Sequence, residues 1–466
     1  MAEICSLAPM LRRGNAVWAA LAARDAGASL GTRLPRWSVG ARSTLNLGFG
    51  KGVLHARISF VNRKKLLILA STYPRWLSDP EPGFVHELAK RLTTQFEVRV
   101  LCPHAPMAAA QEVLEGVKVV RYRYAPSRFE TLVNDGGIVT NLKRQPWKWL
   151  LVPFFILGLF WRTWREIRHW QPEVIHAHWL LPQGLVVALL SLLDRRTPPF
   201  LVTSHGADLF ALRARPLTAL KRFVVRRTAA FTVVSQAMKD ELAHIGAPLH
   251  KVSVQSMGVD LTHRFTPTPE LRRSCDEILF VGRLVEKKGL RYLLAAMPEV
   301  IARHPSAFLT VVGFGPEEEE RRAQATALGI TDKVHFLGPR SQAELPDLYR
   351  CAAVFVAPFV QAGSGDQEGL GLVLVEALGC GCPVVLSDLP ASRDVVGGIK
   401  AAIPIPPEQL TDRLGQAIMS VLADRPRYTL EAIKAVPQLK KQFDWEEVTA
   451  GYARLLLEIS CRINHP

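Results

Sequence analysis

Two carboxylates eight positions apart, Glu368 and Glu376, stand on either side of a glycine turn, Gly369-Leu370-Gly371. An apolar strand-like run around Pro383 follows. A tight turn that opens a helix leaves backbone amides unpaired, and the helix dipole adds partial positive charge there. A diphosphate settles at such a place. With the helix beginning at the turn, Glu368 falls at its phosphate end and Glu376 about two turns further in. Carboxylates accept hydrogen bonds from hydroxyl groups. The spacing therefore points to an enzyme that handles a nucleoside diphosphate bearing a hydroxyl-rich group.

A second cluster, Gly282-Arg283-Leu284-Val285-Glu286-Lys287-Lys288-Gly289, follows a strand-like run at 278–281. Arg283 offers a planar fork for phosphate oxygens and Lys288 a point charge, so both can converge on a phosphate pair from a strand-end loop. Alone, such a loop is more often solvated surface; in register with the downstream carboxylates it reads as functional. Ile175-His176-Ala177-His178 puts two histidines on one face of a strand. No third metal ligand is evident, so the pair reads as strand end and cleft lining, and no metal site is expected. Cys380-Gly381-Cys382 has no matching pair elsewhere and reads as small core filling.

These groups need a scaffold that gathers strand ends. Strand-like runs at 66–70, 98–102, 117–122, 174–177, 200–204, 231–234 and 252–255 are interleaved with helical spacing, as at 84–92. A polar stretch with prolines at 266–270 reads as a linker. The rhythm restarts with strands at 278–281, 308–312, 334–337, 354–357 and 384–386, and helices at 290–303, 317–328, 343–351 and 372–379. Such alternation is the pattern of parallel sheets. Two doubly wound domains facing each other would share a cleft at their strand carboxyl ends. A chain of 466 residues, 48% of them hydrophobic, is large enough for two α/β cores.

Four motifs lie in order along the second half: Gly282-Arg283 with Lys288-Gly289, Val311-Val312-Gly313-Phe314-Gly315-Pro316, Val334-His335-Phe336-Leu337-Gly338, and Glu368 with Glu376. With them the chain resembles the retaining glycosyltransferases of family 4, over about residues 64–460 and most strongly over 278–396. The resemblance implies an α/β GT-B fold, two Rossmann-like doubly wound domains facing a central cleft. It implies that Arg283 and Lys288 hold the donor diphosphate and that Glu376 takes the ribose hydroxyls. Glu368 would face the transferred sugar, with the Gly369, Leu370 and Gly371 segment near its hydroxyls and the phosphates. Gly338 would flank the base. Thr203-Ser204-His205-Gly206-Ala207-Asp208 resembles the family's His-Gly-x-Asp turn. That implies a catalytic place for His205 beside the donor sugar, and for Asp208 as the group that orients its ring or caps the next helix. Pro82-Gly83-Phe84 falls where the family has a glycine-bearing loop near the donor phosphates and the acceptor, and Gly83 is the candidate there. Phe443-Asp444-Trp445 and Tyr452 resemble the family's closing helix. The chain departs from the common pattern at Pro358-Phe359, where Pro-Ser is usual, and at Ser392-Arg393-Asp394, where Pro-Glu is usual. Both departures bear on sugar choice.

The organisation expected from this is an extra segment at 1–60, an acceptor-binding domain at 61–265, a nucleotide-sugar domain at 271–440 and a helix at 441–466 crossing back. The reaction implied is transfer from a UDP- or GDP-sugar to a lipid-linked or polysaccharide acceptor with retention, as in cell-envelope or exopolysaccharide biosynthesis. No cofactor or metal is required, because Arg283 and Lys288 can carry the leaving-group charge. The rival readings are a GT-B nucleotide-sugar epimerase and a non-catalytic, membrane-associated assembly factor that binds nucleotide sugar.

Charge is uneven: net +6 over residues 1–60, +13 over 61–265 and −3 over 266–466. A basic front half calls for an anionic partner. No nucleic-acid-binding motif is visible, so a nucleic-acid partner is not expected. An anionic membrane surface or an anionic lipid carrier fits better. Its natural contact is the acid-free run at 212–227, with Arg213, Arg215, Lys221, Arg222, Arg226 and Arg227. The apolar run at 150–161, trailed by Trp164, Arg165, Arg168 and Trp170, reads first as a buried helix and second as a helix in the membrane interface. No apolar stretch reaches 18 residues, so no spanning helix is expected. Seven scattered cysteines suit a reducing, cytosolic setting, here the inner face of the cytoplasmic membrane. Residues 1–60 read as a targeting segment or as an over-extended start, with the true one near Val53 or Val61.

Overall fold

The computed structural model describes residues 63–461 apart from 78, 80–82, 135–136, 211–213, 269–270 and 272. The readings made for residues 1–60, Pro82 and Arg213 lie outside the described residues. Two sheets organise the rest. The first runs β1 (Lys64–Leu69), β2 (Phe96–Pro103), β3 (Gln111–Leu114), β4 (Val117–Tyr122), β5 (Val174–His178), β6 (Phe200–Ser204), β7 (Ala230–Val233) and β8 (Val252–Val254). Its spatial order is β3-β4-β2-β1-β5-β6-β7-β8, parallel except for the β3–β4 edge. The second contains β9 (Glu277–Val281), β10 (Phe308–Val312), β11 (Val334–Gly338), β12 (Val354–Ala357), β13 (Val384–Ser387) and β14 (Ala402–Ile405). Its order is β11-β10-β9-β12-β13-β14 with parallel neighbours throughout.

Burial explains the central strands. Leu66 to Leu69 of β1 and Ile278 to Phe280 of β9 are almost fully buried, as strands covered by helices on both faces must be. Strand order reverses beside β1 and beside β9. Those switch points are where a doubly wound sheet opens a crevice at its carboxyl edge.

Helix Trp445–Cys461 packs on helix Phe84–Leu92 and against β5 and β6 of the first sheet. Its seat is specific: the Trp445 ring lies where a Cβ on Gly258 would stand 2.4 Å away. Asp444 accepts the Leu261 amide at 3.1 Å and the Thr262 hydroxyl at 3.0 Å, and the Tyr452 hydroxyl donates to the Gln255 carbonyl at 3.1 Å.

Two expectations change. Helix Leu151–His169 is not simply buried. Leu151, Phe155, Leu159 and Ile167 face the core, while Phe154, Leu157 and Trp161 are exposed, because the run is apolar on both faces and the sheet covers only one. In helix Arg215–Arg227, Lys221 is buried and donates to the Leu209 carbonyl at 2.6 Å, so the basic run presents fewer charges than its sequence suggests. Among the described residues no helix is long and apolar enough to cross a membrane.

Candidate functional site

The loop after β9 and the loop after β12 are laced together. Val360 N donates to the Lys287 carbonyl at 2.9 Å, and Gly363 N to the Glu286 carboxylate at 3.0 Å. Lys287 pairs with Asp366 at 3.1 Å and Lys288 with Glu368 at 2.7 Å. Lys288 Nζ also lies 4.5 Å above the Phe359 ring. Burial alone raises the Glu368 pKa. The charges of Lys288 and Lys287 and the Gly369 amide outweigh it and hold the carboxyl at about 2. Glu368 is therefore an anion at any physiological pH.

Gly371, at φ +88°, caps the start of helix Leu372–Gly379. The helix begins right after the glycine turn, at Leu372 as its sequence indicates, so Glu376 lies about one turn inside it and about two turns beyond Glu368. The buried Tyr349 hydroxyl donates to Glu376 at 2.9 Å. Burial lifts the Glu376 carboxyl to about 7, against that bond and the charges of Lys288 and Arg264. Gly338, at φ +70°, ends β11 with open space where a Cβ would point, and its carbonyl accepts the Gly313 amide at 2.9 Å. Gly313 is compressed in turn: a Cβ there would meet the Gly282 carbonyl at 2.0 Å. The glycine at the end of β10 thus lets its backbone lie against that of the loop after β9.

The first lobe enters through His205. A Cβ on Gly369 would fall 2.6 Å from the His205 carbonyl, and one on Gly206 would fall 3.1 Å from Gly369 Cα. The His205-Gly206 turn and the Glu368-Gly369 turn therefore touch across the cleft. Further along, Arg283 donates to the Thr140 hydroxyl at 3.3 Å, a second bridge between the lobes. The His205 ring stacks at 8° on His178, with Nε2 3.0 Å from His178 Nδ1, and it packs against Phe84 and Trp179. His176 bonds Thr203, and burial lowers its pKa to about 3. Burial also lowers His178 and His205, so the three rings are neutral.

Sequence comparison agrees with this architecture. The family "Glycosyltransferase Family 4" matches residues 84–263 and "Glycosyl transferases group 1" matches residues 270–436. Glycogen synthase of Mycobacterium tuberculosis is 26% identical over 409 residues, 84% of this chain and 94% of that protein. The GDP-mannose-dependent alpha-(1-6)-phosphatidylinositol monomannoside mannosyltransferase of Mycolicibacterium smegmatis is 30% identical over 283 residues, 58% of this chain and 73% of that protein. The chain belongs to the family 4, group 1 glycosyltransferases. Sucrose-phosphate synthase from Thermosynechococcus elongatus shares the GT-B fold, with a TM-score of 0.70 at 19% identity over 86% of this chain and all of that one. The protein is thus an enzyme, a glycosyltransferase using a nucleotide-sugar donor.

Within this glycosyltransferase the structure gathers His205, Lys288, Glu368, Gly369 and Gly371 at one point. Gly83 precedes helix Phe84–Leu92, whose first residue packs on His205. Asp208 is elsewhere in role. Its carboxylate takes the Leu180 amide at 2.6 Å, the Ser204 hydroxyl at 2.9 Å and the His205 amide at 3.3 Å. It braces the turn and does not hold the His205 ring, which His178 contacts instead. The Leu370 side chain is buried and lines a cavity of about 490 Å³ with Gln255 and Asp394, so only its backbone can serve the turn. Asp394, in one of the two departures from the family pattern, accepts the Gln236 amide at 2.5 Å and joins the lobes on that side. The sequence did not single out Tyr349 or the pairing of His178 with His205. Both join residues 27 apart that meet only in the fold.

Proposed function

We propose that the enzyme transfers a hexose-type sugar from UDP- or GDP-sugar to a lipid-linked or polysaccharide acceptor, with retention of configuration. The observation that carries this reading is the contact of the His205-Gly206 turn with the Glu368-Gly369 turn, beside the Lys288–Glu368 pair. In this reading Arg283 and Lys288 take the diphosphate oxygens, so an arriving donor exchanges the Lys288–Glu368 pair for a Lys288–phosphate one. Glu368 is then free to accept hydroxyls of the sugar and to offset positive charge at its anomeric carbon. Glu376 accepts the ribose hydroxyls, and the Gly338 turn flanks the base. The acceptor attacks on the face from which the diphosphate leaves, and the leaving phosphate takes its proton. His205, neutral and only partly exposed, hydrogen-bonds the sugar without adding charge. The mannosyltransferase relative is named for GDP-mannose and for a phosphatidylinositol mannoside, and the glycogen synthase for a polysaccharide, which supports both acceptor classes.

The test is the melting temperature of the full chain with UDP, GDP, ADP and their sugar conjugates. Ligand at 100 times its dissociation constant adds about 2.7 kcal/mol. One base should raise the melting temperature, and Glu376→Ala should erase the rise. A folded protein that responds to none of these nucleotides would overturn the donor assignment. Turnover of the bound donor without any acceptor, giving an isomerised sugar nucleotide, would replace transfer by epimerisation.

A further inference from the structure

One surface is left unexplained by the donor site. Trp147, Trp149, Leu150, Phe154, Leu157 and Trp161 are 46–73% exposed, an uncommon density of bulky apolar side chains on one surface. Leu150, Phe154, Leu157 and Trp161 are spaced by four, three and four, so they form one stripe along helix Leu151–His169 and the turn before it. The opposite face, with Leu151, Phe155, Leu159 and Ile167, is in the core. From Ile138 to Arg165 there is no acidic residue. Lys143, Arg144 and Arg165 are exposed around the stripe, and the Arg165 guanidinium lies 5.6 Å from the Trp161 ring.

We propose that this face docks in the headgroup region of an anionic bilayer. Apolar side chains along one face, tryptophans at both ends and arginine or lysine at the margin are what an interfacial helix needs. The stripe spans about 20 Å, enough to hold an orientation rather than a point contact. A second copy of the chain is a poor occupant, since a two-fold interface here would bring Lys143, Arg144 and Arg165 of both copies together. The face also adjoins the cleft. Helix Ile138–Arg144 packs on the Pro146–Leu150 turn, and its Thr140 meets Arg283 across the lobes. A docked enzyme would therefore hold its cleft near the headgroups; that last point rests on the proposed lipid-linked acceptor, the docking itself does not.

The test is flotation of the full chain with phosphatidylcholine vesicles, with and without phosphatidylglycerol. Wild type should float with the anionic vesicles. The double variant Phe154→Ser with Leu157→Ser should lose about tenfold or more in partitioning, the order expected for withdrawing two bulky side chains from an apolar phase. Lys143→Glu with Arg144→Glu should abolish the preference for phosphatidylglycerol. Melting temperature and nucleotide binding should be unchanged in both variants, which separates this surface from the donor site. Failure of wild type to float with either vesicle, or equal flotation of the serine variant, would overturn the proposal. So would a wild-type dimer that the serine variant turns into a monomer without any vesicle binding.

Discussion

At the residue scale, Glu376 links the proposed donor recognition to stability. Its folded pKa of about 7 lies above the ordinary 4.5, so between those values the folded state holds a proton that the unfolded state has lost. The stability this contributes is present below about pH 4.5 and is lost as pH rises through 7, a swing of about 3 kcal/mol. Glu376→Gln should remove that slope, so urea unfolding at pH 5 and pH 8 should show a smaller loss than wild type. Donor binding should respond the opposite way, because in the proposed site two ribose hydroxyls need the carboxylate. Glu376→Gln should weaken nucleotide binding by roughly tenfold at pH 8, with the gap narrowing toward pH 6. Unchanged affinity in that variant would exclude Glu376 from the ribose. Glu368 has the reverse sign. Its folded value of about 2 lies below 4.5, so it supports the fold above pH 4.5 and ceases to as pH falls through 2. Lys288→Met removes the largest charge that lowers it and leaves burial, which raises it, unopposed by that partner. The variant should lose about 3 kcal/mol near neutral pH and clearly less at pH 4, where Glu368 can take a proton. An equal loss at both pH values would mean the pair is not what keeps Glu368 ionised.

At the element scale the site depends on loops held by close backbone approach. Gly369→Ala places a methyl 2.6 Å from the His205 carbonyl, so the two turns must separate by several tenths of an ångström or more. In the proposed site, nucleotide contacts on the second lobe are untouched by this, but the geometry between sugar and first lobe is not. Transfer should fall roughly 100-fold while nucleotide affinity changes little. A parallel loss of both would place Gly369 in nucleotide binding alone. Much of this was legible beforehand. The helix at Phe84–Leu92, the strands β4, β6, β10 and β12, and the glycine turn ahead of Leu372 all announce themselves by local pattern. The edge strands β3 and β14 do not, being four residues each, one polar and one carrying Pro404. The pairing of His178 with His205 follows from β5 lying beside β6, with His178 opposite Thr203, and no local signal fixes that adjacency. The two-faced character of helix Leu151–His169 was hidden because its apolar run covers both faces.

At the scale of the whole molecule, the question is whether two sheets behave as one cooperative body. The chain ends by returning to its beginning: Lys64 of β1 donates to the Ser460 hydroxyl at 2.8 Å, and helix Trp445–Cys461 lies on β5 and β6. One continuous apolar cluster contains Leu66 and Val174 from the first sheet, Leu374 and Val384 from the second lobe, and Phe443, Tyr452 and Leu456 from the final helices. Shared packing couples the lobes, so a cavity cut into it lowers the stability of both where they unfold as one body. A cut at this helix should therefore be felt by both lobes. Leu456 is fully buried, and Leu456→Ala should cost about 2–5 kcal/mol through lost burial and the cavity left behind. Calorimetry of this variant should still show one transition, moved down as a whole, and donor nucleotide should raise that same transition although its proposed site is on the far lobe. Two separated peaks, with the nucleotide lifting only one, would mean that the lobes unfold independently and that the returning helix is a local brace of the first sheet. A single peak means that the lobes unfold as one body, so that donor bound at the proposed site on the second lobe also stabilises the first, where the neutral histidines and the exposed tryptophan face stand.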